Sequence, residues 1–207
     1  MSEFTAKDVA ELRKATGAGM MDAKRALEET NGDMEAAAQL LREKGLAAAK
    51  KRSDRATDQG TIGHYLHHQA DRPVIGVLVE LASETDFVAK SDDFQQAARD
   101  IAMHVAAARP RWVLREQVPA EELDKEREVI AAQARNEGKP DDIVDKIVDG
   151  RMNSFYKDYV LYEQPFVNTE KFEGTVGEMV EAMAATMGEN ISVRRFARVG
   201  VGEDSES

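Results

Sequence analysis

Asp86 and Phe87 stand side by side in SETDFVAKSDDF, residues 83–94, where the acids Glu84, Asp86, Asp92 and Asp93 crowd around two phenylalanines. A carboxylate beside an apolar ring is a poor pair for acid–base catalysis but a good wedge. The ring can enter a groove on a partner, and the acid can compete for polar groups there. The same residues also read as a helix start. Ser83 or Thr85 can cap, the acids suit the positive end of a helix dipole, and Phe87 or Val88 can turn inward, with Phe94 available for the core. The residue types alone support both readings.

The other chemistry-bearing groups point to less. His64, His67 and His68 invite a metal, but on a strand His64 and His68 share one face and His67 points the other way. No acid cluster completes a ligand set, so a solvated strand face is the reading they favour. Lys50, Lys51, Arg52 and Arg55 could touch RNA, yet they lack interleaved aromatics for base stacking and read as a solvated helix end. Met20 and Met21 are adjacent, and adjacent helical residues point about 100° apart. Either one is core and the other lies on an apolar patch suited to a partner, or both are half-buried. Gly17-Ala18-Gly19 is half a dinucleotide fingerprint, but it lies between helices and reads as a stop and a start. There is no P-loop, no nucleophile elbow and no zinc-protease helix. Cysteine is absent, which excludes thiol chemistry and disulfides and fits a reducing compartment.

These residues must be held by elements. Residues 4–46 read as three short helices. Thr5 caps the first with Asp8 three residues on, and Gly17 ends it. Asn31-Gly32 stops the second, Asp33 caps the third and Gly45 closes it. Residues 61–69 and 74–81 read as an antiparallel hairpin turned at 71–73, the second strand a buried apolar run leading straight into the acids. Helical patterns cover 91–108, 120–137, 140–158 and 174–187, and residues 190–201 alternate as a final strand. Trp112 falls in a short exposed stretch between Pro110 and Pro119. The pattern is α+β. Domain boundaries are expected at 1–50 for a three-helix bundle, 51–60 for a linker, 61–201 for a core with a small antiparallel sheet packed by helices, and 202–207 for a disordered tail. A net charge of −11 argues against nucleic acid as the main ligand. No apolar run approaches a membrane span and no signal peptide is read, so a cytoplasmic protein is expected.

Three blocks resemble the elongation factor Ts family. Residues 12–45, LRKATGAGMMDAKRALEETNGDMEAAAQLLREKG, are similar to its N-terminal three-helix domain of ubiquitin-associated type. ETDFVAKSDDF is similar to its core signature, and residues 146–167, KIVDGRMNSFYKDYVLYEQPFV, to a third characteristic block. The resemblance is to the short form. The long form carries a coiled-coil excursion, and no segment here reads as one. One departure is Ala82-Ser83, before the signature, where asparagine is frequent; it implies a local difference in hydrogen bonding. The resemblance implies a guanine nucleotide exchange factor for GDP-bound elongation factor Tu, with no covalent chemistry and no cofactor. In the family the tip, here Thr85, Asp86, Phe87 and Val88, enters beside the partner's magnesium and phosphate site. The bundle, with Met20 and Met21, docks on the same partner. Short-form relatives can pair through their sheets, which implies a homodimer as a further partner.

Overall fold

The computed structural model describes residues 4–203. Its first three helices start and stop where local chemistry tells them to. Helix α1 (Ala6–Thr16) opens with a reciprocal cap. The Asp8 amide donates to Thr5 Oγ1 at 3.3 Å, and the Thr5 amide donates to the Asp8 carboxylate at 2.6 Å. It closes on Gly17 at φ 69°, a left-handed conformation that costs glycine nothing. Helix α2 is Met20–Glu29, and α3 (Met34–Lys50) begins where Asp33 accepts from the amides of Glu35 and Ala36. Val9, Leu12, Ala23, Ala26, Leu27, Ala37 and Leu41 make the bundle core. So many alanines let three thin helices approach closely.

Gly45 does not close the third helix, which continues to Lys50. A Cβ placed there would lie 3.1 Å from the Cβ of Ala185, so this glycine serves close packing and not termination. Beyond it Lys51 to Arg55 turn, and strand β1 (Gln59–Gln69) follows.

Strands β1, β2 (Arg72–Ser83) and β3 (Ile191–Gly200) form one antiparallel sheet in the order β1-β2-β3. Val77, Val79, Leu81 and Val193 turn to the covered face. Gly63 sits there because a Cβ would fall 2.2 Å from the Ala98 carbonyl oxygen of α5 (Asp92–Ala108). The remaining elements are the four-residue helix α4 (Asp86–Ala89) and the longer helices α6 (Ala120–Asn136), α7 (Asp141–Tyr159) and α8 (Val176–Met187).

Helices α6 and α7 stand where helical patterns were expected, at 120–137 and 140–158. They fold back on each other as a helical hairpin turned at Gly138, with Ile130, Met152, Phe155, Val118 and Val160 between and beneath them. Their apolar residues are sparse among charges, which hid the shared seam. Trp112 is half-buried against this cluster, 6.1 Å from the Phe155 ring, with the Arg111 guanidinium 4.4 Å above it. It is a lid on this core within a stretch whose residues 114–117 are exposed.

The chain divides into two compact units. One contains the bundle, Leu81–Phe94 and Met179–Ser192; the other contains Ile62–Glu80, Gln95–Glu178 and the chain from Val193. Of the six residues expected as a tail, Gly202 and Glu203 are described, and the Glu203 carboxylate pairs with Arg198. Residues 204–207 lie outside the described residues.

Candidate functional site

Strand β2 ends in three consecutive buried residues, Leu81, Ala82 and Ser83, so the chain stops alternating and dives before it turns. The Ser83 hydroxyl donates to the Thr85 carbonyl at 3.0 Å, which tightens the exit. Thr85 is extended and caps α4, its Oγ1 accepting from the Val88 amide at 3.4 Å. Four helical residues then divide by face. Val88 and Ala89 are buried, while Asp86 and Phe87 point out. The Phe87 side chain is 84% exposed, whereas Phe94 is completely buried. The sequence allowed Phe87 to turn inward; Val88 does so instead. Leaving such a ring in water forgoes roughly 1.5–3 kcal/mol of burial, so this position is not explained by the fold's own stability.

Asp86 is paired with Lys90 across one turn at 2.6 Å. That hydrogen bond and the ammonium charge hold the Asp86 carboxyl below its ordinary range, so the tip presents a carboxylate beside the ring.

Two residues from the turn after α8 brace this tip. The Glu189 carboxylate accepts from the Thr85 amide at 3.0 Å and from the Thr85 hydroxyl at 2.5 Å. The Asn190 amide donates to Glu84 at 2.6 Å, which lowers the Glu84 pKa, with Arg55 adding to it from 3.4 Å. The Asn190 side chain in turn donates to the carbonyls of Ser53 and Arg55. Sequence reasoning missed Glu189 and Asn190. Gly188-Glu189-Asn190 signals only a helix stop, and nothing in it announces a partner 104 residues away.

Met20 and Met21 open α2 and are 49% and 58% exposed. Neither enters the bundle core, because Ala23, Ala26 and Leu27 supply the inward face. With Phe4, Val9 and Lys24 they line an open, mostly apolar hollow of about 390 Å³. In the basic cluster, Arg52 donates to the Ala184 carbonyl at 3.1 Å and Arg55 pairs with Glu84, so both arginines tie down the chain after α3. His64, His67 and His68 are exposed along β1. Among the described residues no group of three potential ligands gathers around a metal position.

The sequence model of the family described as elongation factor TS matches residues 2–173. The chain belongs to the elongation factor Ts family. An elongation factor Ts of Carboxydothermus hydrogenoformans is 53% identical over 200 residues, covering 97% of this chain and 90% of that one. That of Geobacter sulfurreducens is 52% identical over 203 residues, covering 98% and 92%. That of Fervidobacterium nodosum is 49% identical over 201 residues and is covered in full. As a member of the elongation factor Ts family the chain is a factor of translation elongation, of the nucleotide-exchange class. No helix among the described residues is long and apolar enough to cross a membrane.

Proposed function

We propose that this chain is a guanine nucleotide exchange factor that acts on GDP-bound elongation factor Tu through the tip formed by Thr85, Asp86, Phe87 and Val88. The observation that carries the reading is Phe87, a ring left 84% exposed on a braced helical turn beside a carboxylate. In this mechanism the ring wedges between elements of the partner. The displacement disturbs the groups that hold magnesium and the terminal phosphate. Magnesium demands near-ideal octahedral geometry, so a small shift of its ligands costs much nucleotide affinity. No bond is made or broken. Val88 holds the turn to the fold, Thr85 caps it, and Asp86 and Phe87 make the contact.

Met20 and Met21 are the docking residues in this reading. Their hollow is apolar and the thioether side chains adapt to a partner's surface. Neither nucleic acid nor membrane has a part in the mechanism, and the site of action is the cytoplasm.

The test is release of fluorescent GDP from elongation factor Tu in magnesium. The wild-type chain is expected to accelerate release strongly, and Asp86→Ala/Phe87→Ala to lose the acceleration with its melting temperature unchanged. Acceleration that survives the double substitution moves the mechanism to another surface.

A second copy of the chain is a further partner, favoured by the outer face of the sheet. Ile62, Leu66 and Leu78 are exposed there together. The face also carries the Glu80–Arg195 pair at 2.7 Å, a polar feature that a two-fold partner could meet.

A further inference from the structure

We infer that Glu189 is a positioning residue for the tip: it completes, from across the chain, a helix cap that the local sequence leaves half-made. This rests on the tip being the working element of exchange.

A complete capping box needs two bonds. The cap residue's side chain accepts from the third helical amide, and an acid at that third position accepts from the cap residue's own amide. Helix α1 has both, from Thr5 and Asp8. In α4 the first bond is present, Thr85 with the Val88 amide. The second is impossible locally, because the third position is Val88, which is buried and holds the turn down. An acid there would lose that anchor. Glu189 takes its place. One carboxylate oxygen accepts from the Thr85 amide and the other from the Thr85 hydroxyl. Both bonds are charge-assisted, the stronger class.

Glu189 is itself held on either side. Gly188 adopts φ 75° to end α8, and Asn190 bonds Glu84, Ser53 and Arg55. The acid therefore does not swing freely onto Thr85; it is presented to it. Without such support a helix of four residues has no stability of its own, since nucleation is unfavourable. The Phe87 ring adds little, because it is 84% exposed. Glu189 fixes the direction in which Asp86 and Phe87 project before any partner arrives, which spares the ordering cost at binding.

The test uses the full chain with Glu189→Ala and the same-sized Glu189→Gln, beside Phe87→Ala. Two quantities are read well below every melting temperature: hydrogen exchange of the Thr85 amide in the free protein, and the second-order constant for stimulated GDP release from elongation factor Tu. Loss of hydrogen bonds to a charged group predicts faster amide exchange and weaker stimulation by roughly tenfold in Glu189→Ala. Glu189→Gln, which keeps one acceptor, is expected to fall between Ala and wild type in both. A merely structural role lowers the melting temperature and leaves the stimulation constant below it unmoved. Full stimulation by Glu189→Ala while Phe87→Ala has lost it overturns the positioning role and leaves the tip reading standing. An unchanged Thr85 amide does the same. Full stimulation by Phe87→Ala removes the tip reading, and the role of Glu189 with it.

Discussion

Phe87 and Phe94, seven positions apart, have opposite fates. Phe94, in the first turn of α5, enters the core; Phe87 is held out by a turn whose inward positions are already taken by Val88 and Ala89. Residue types in SETDFVAKSDDF could not decide this, since either Phe87 or Val88 fits an inward position one residue apart. His104 shows the same limit from the other side. It is completely buried, its Nδ1 accepting from the Val167 amide at 3.2 Å, so its Nε2 proton is directed to Gln164 at 3.0 Å. The Gln164 amide then donates to the carbonyls of Ala108 and Asp158. Burial pushes the His104 pKa down, with the Gln164 bond opposing it. The folded state therefore keeps His104 neutral at a pH where the unfolded chain takes a proton. This contribution to stability is in place above the ordinary histidine value of about 6.5 and is lost as pH falls from there toward the lower folded value. Melting temperatures between about pH 8 and about pH 5 are expected to fall for the wild type and to fall less steeply for His104→Gln. Parallel slopes in the two proteins contradict the assignment.

Elements with local punctuation were legible. Thr5, Gly17, Asp33 and the loop between β1 and β2 act where their chemistry predicts, because capping and turn preferences depend on neighbours in sequence. Gly45 was misread because a glycine needed for approach to Ala185 looks, in one dimension, like a glycine that stops a helix. The two helices of the α6–α7 hairpin were legible, but their packing was not, because it depends on which sparse apolar residues face each other. At the same scale, the sheet leaves Ile62, Leu66 and Leu78 uncovered on its outer face. A dimer through that face predicts that light scattering finds twice the chain mass and that Leu66→Glu/Leu78→Glu returns the mass to one chain, because a charge has no place in an apolar contact. One-chain mass for the wild type at high concentration contradicts it.

Across the whole molecule, two features of the proposed mechanism share one compact unit: the bundle with Met20 and Met21, and the tip with its brace from Glu189 and Asn190. The family was legible from three blocks spread along the chain, and the fold class from the order of strands and helices. The brace was not, because it joins residues 104 apart through side chains that look like ordinary surface acids and amides. Exchange by a wedge requires antagonism: whatever weakens the partner's hold on GDP must itself bind more weakly, by the same factor, when GDP is present. The measurement that bears most directly on this is the affinity for elongation factor Tu at rising GDP in magnesium, for the wild type and for Phe87→Ala. The expected result is a wild-type affinity that falls at least about tenfold as GDP saturates, within the usual range of coupling between sites, and a Phe87→Ala affinity nearly indifferent to GDP because docking through the bundle remains. Equal falls in the two proteins, or no fall in either, contradict the claim that the exposed ring of Phe87 drives exchange.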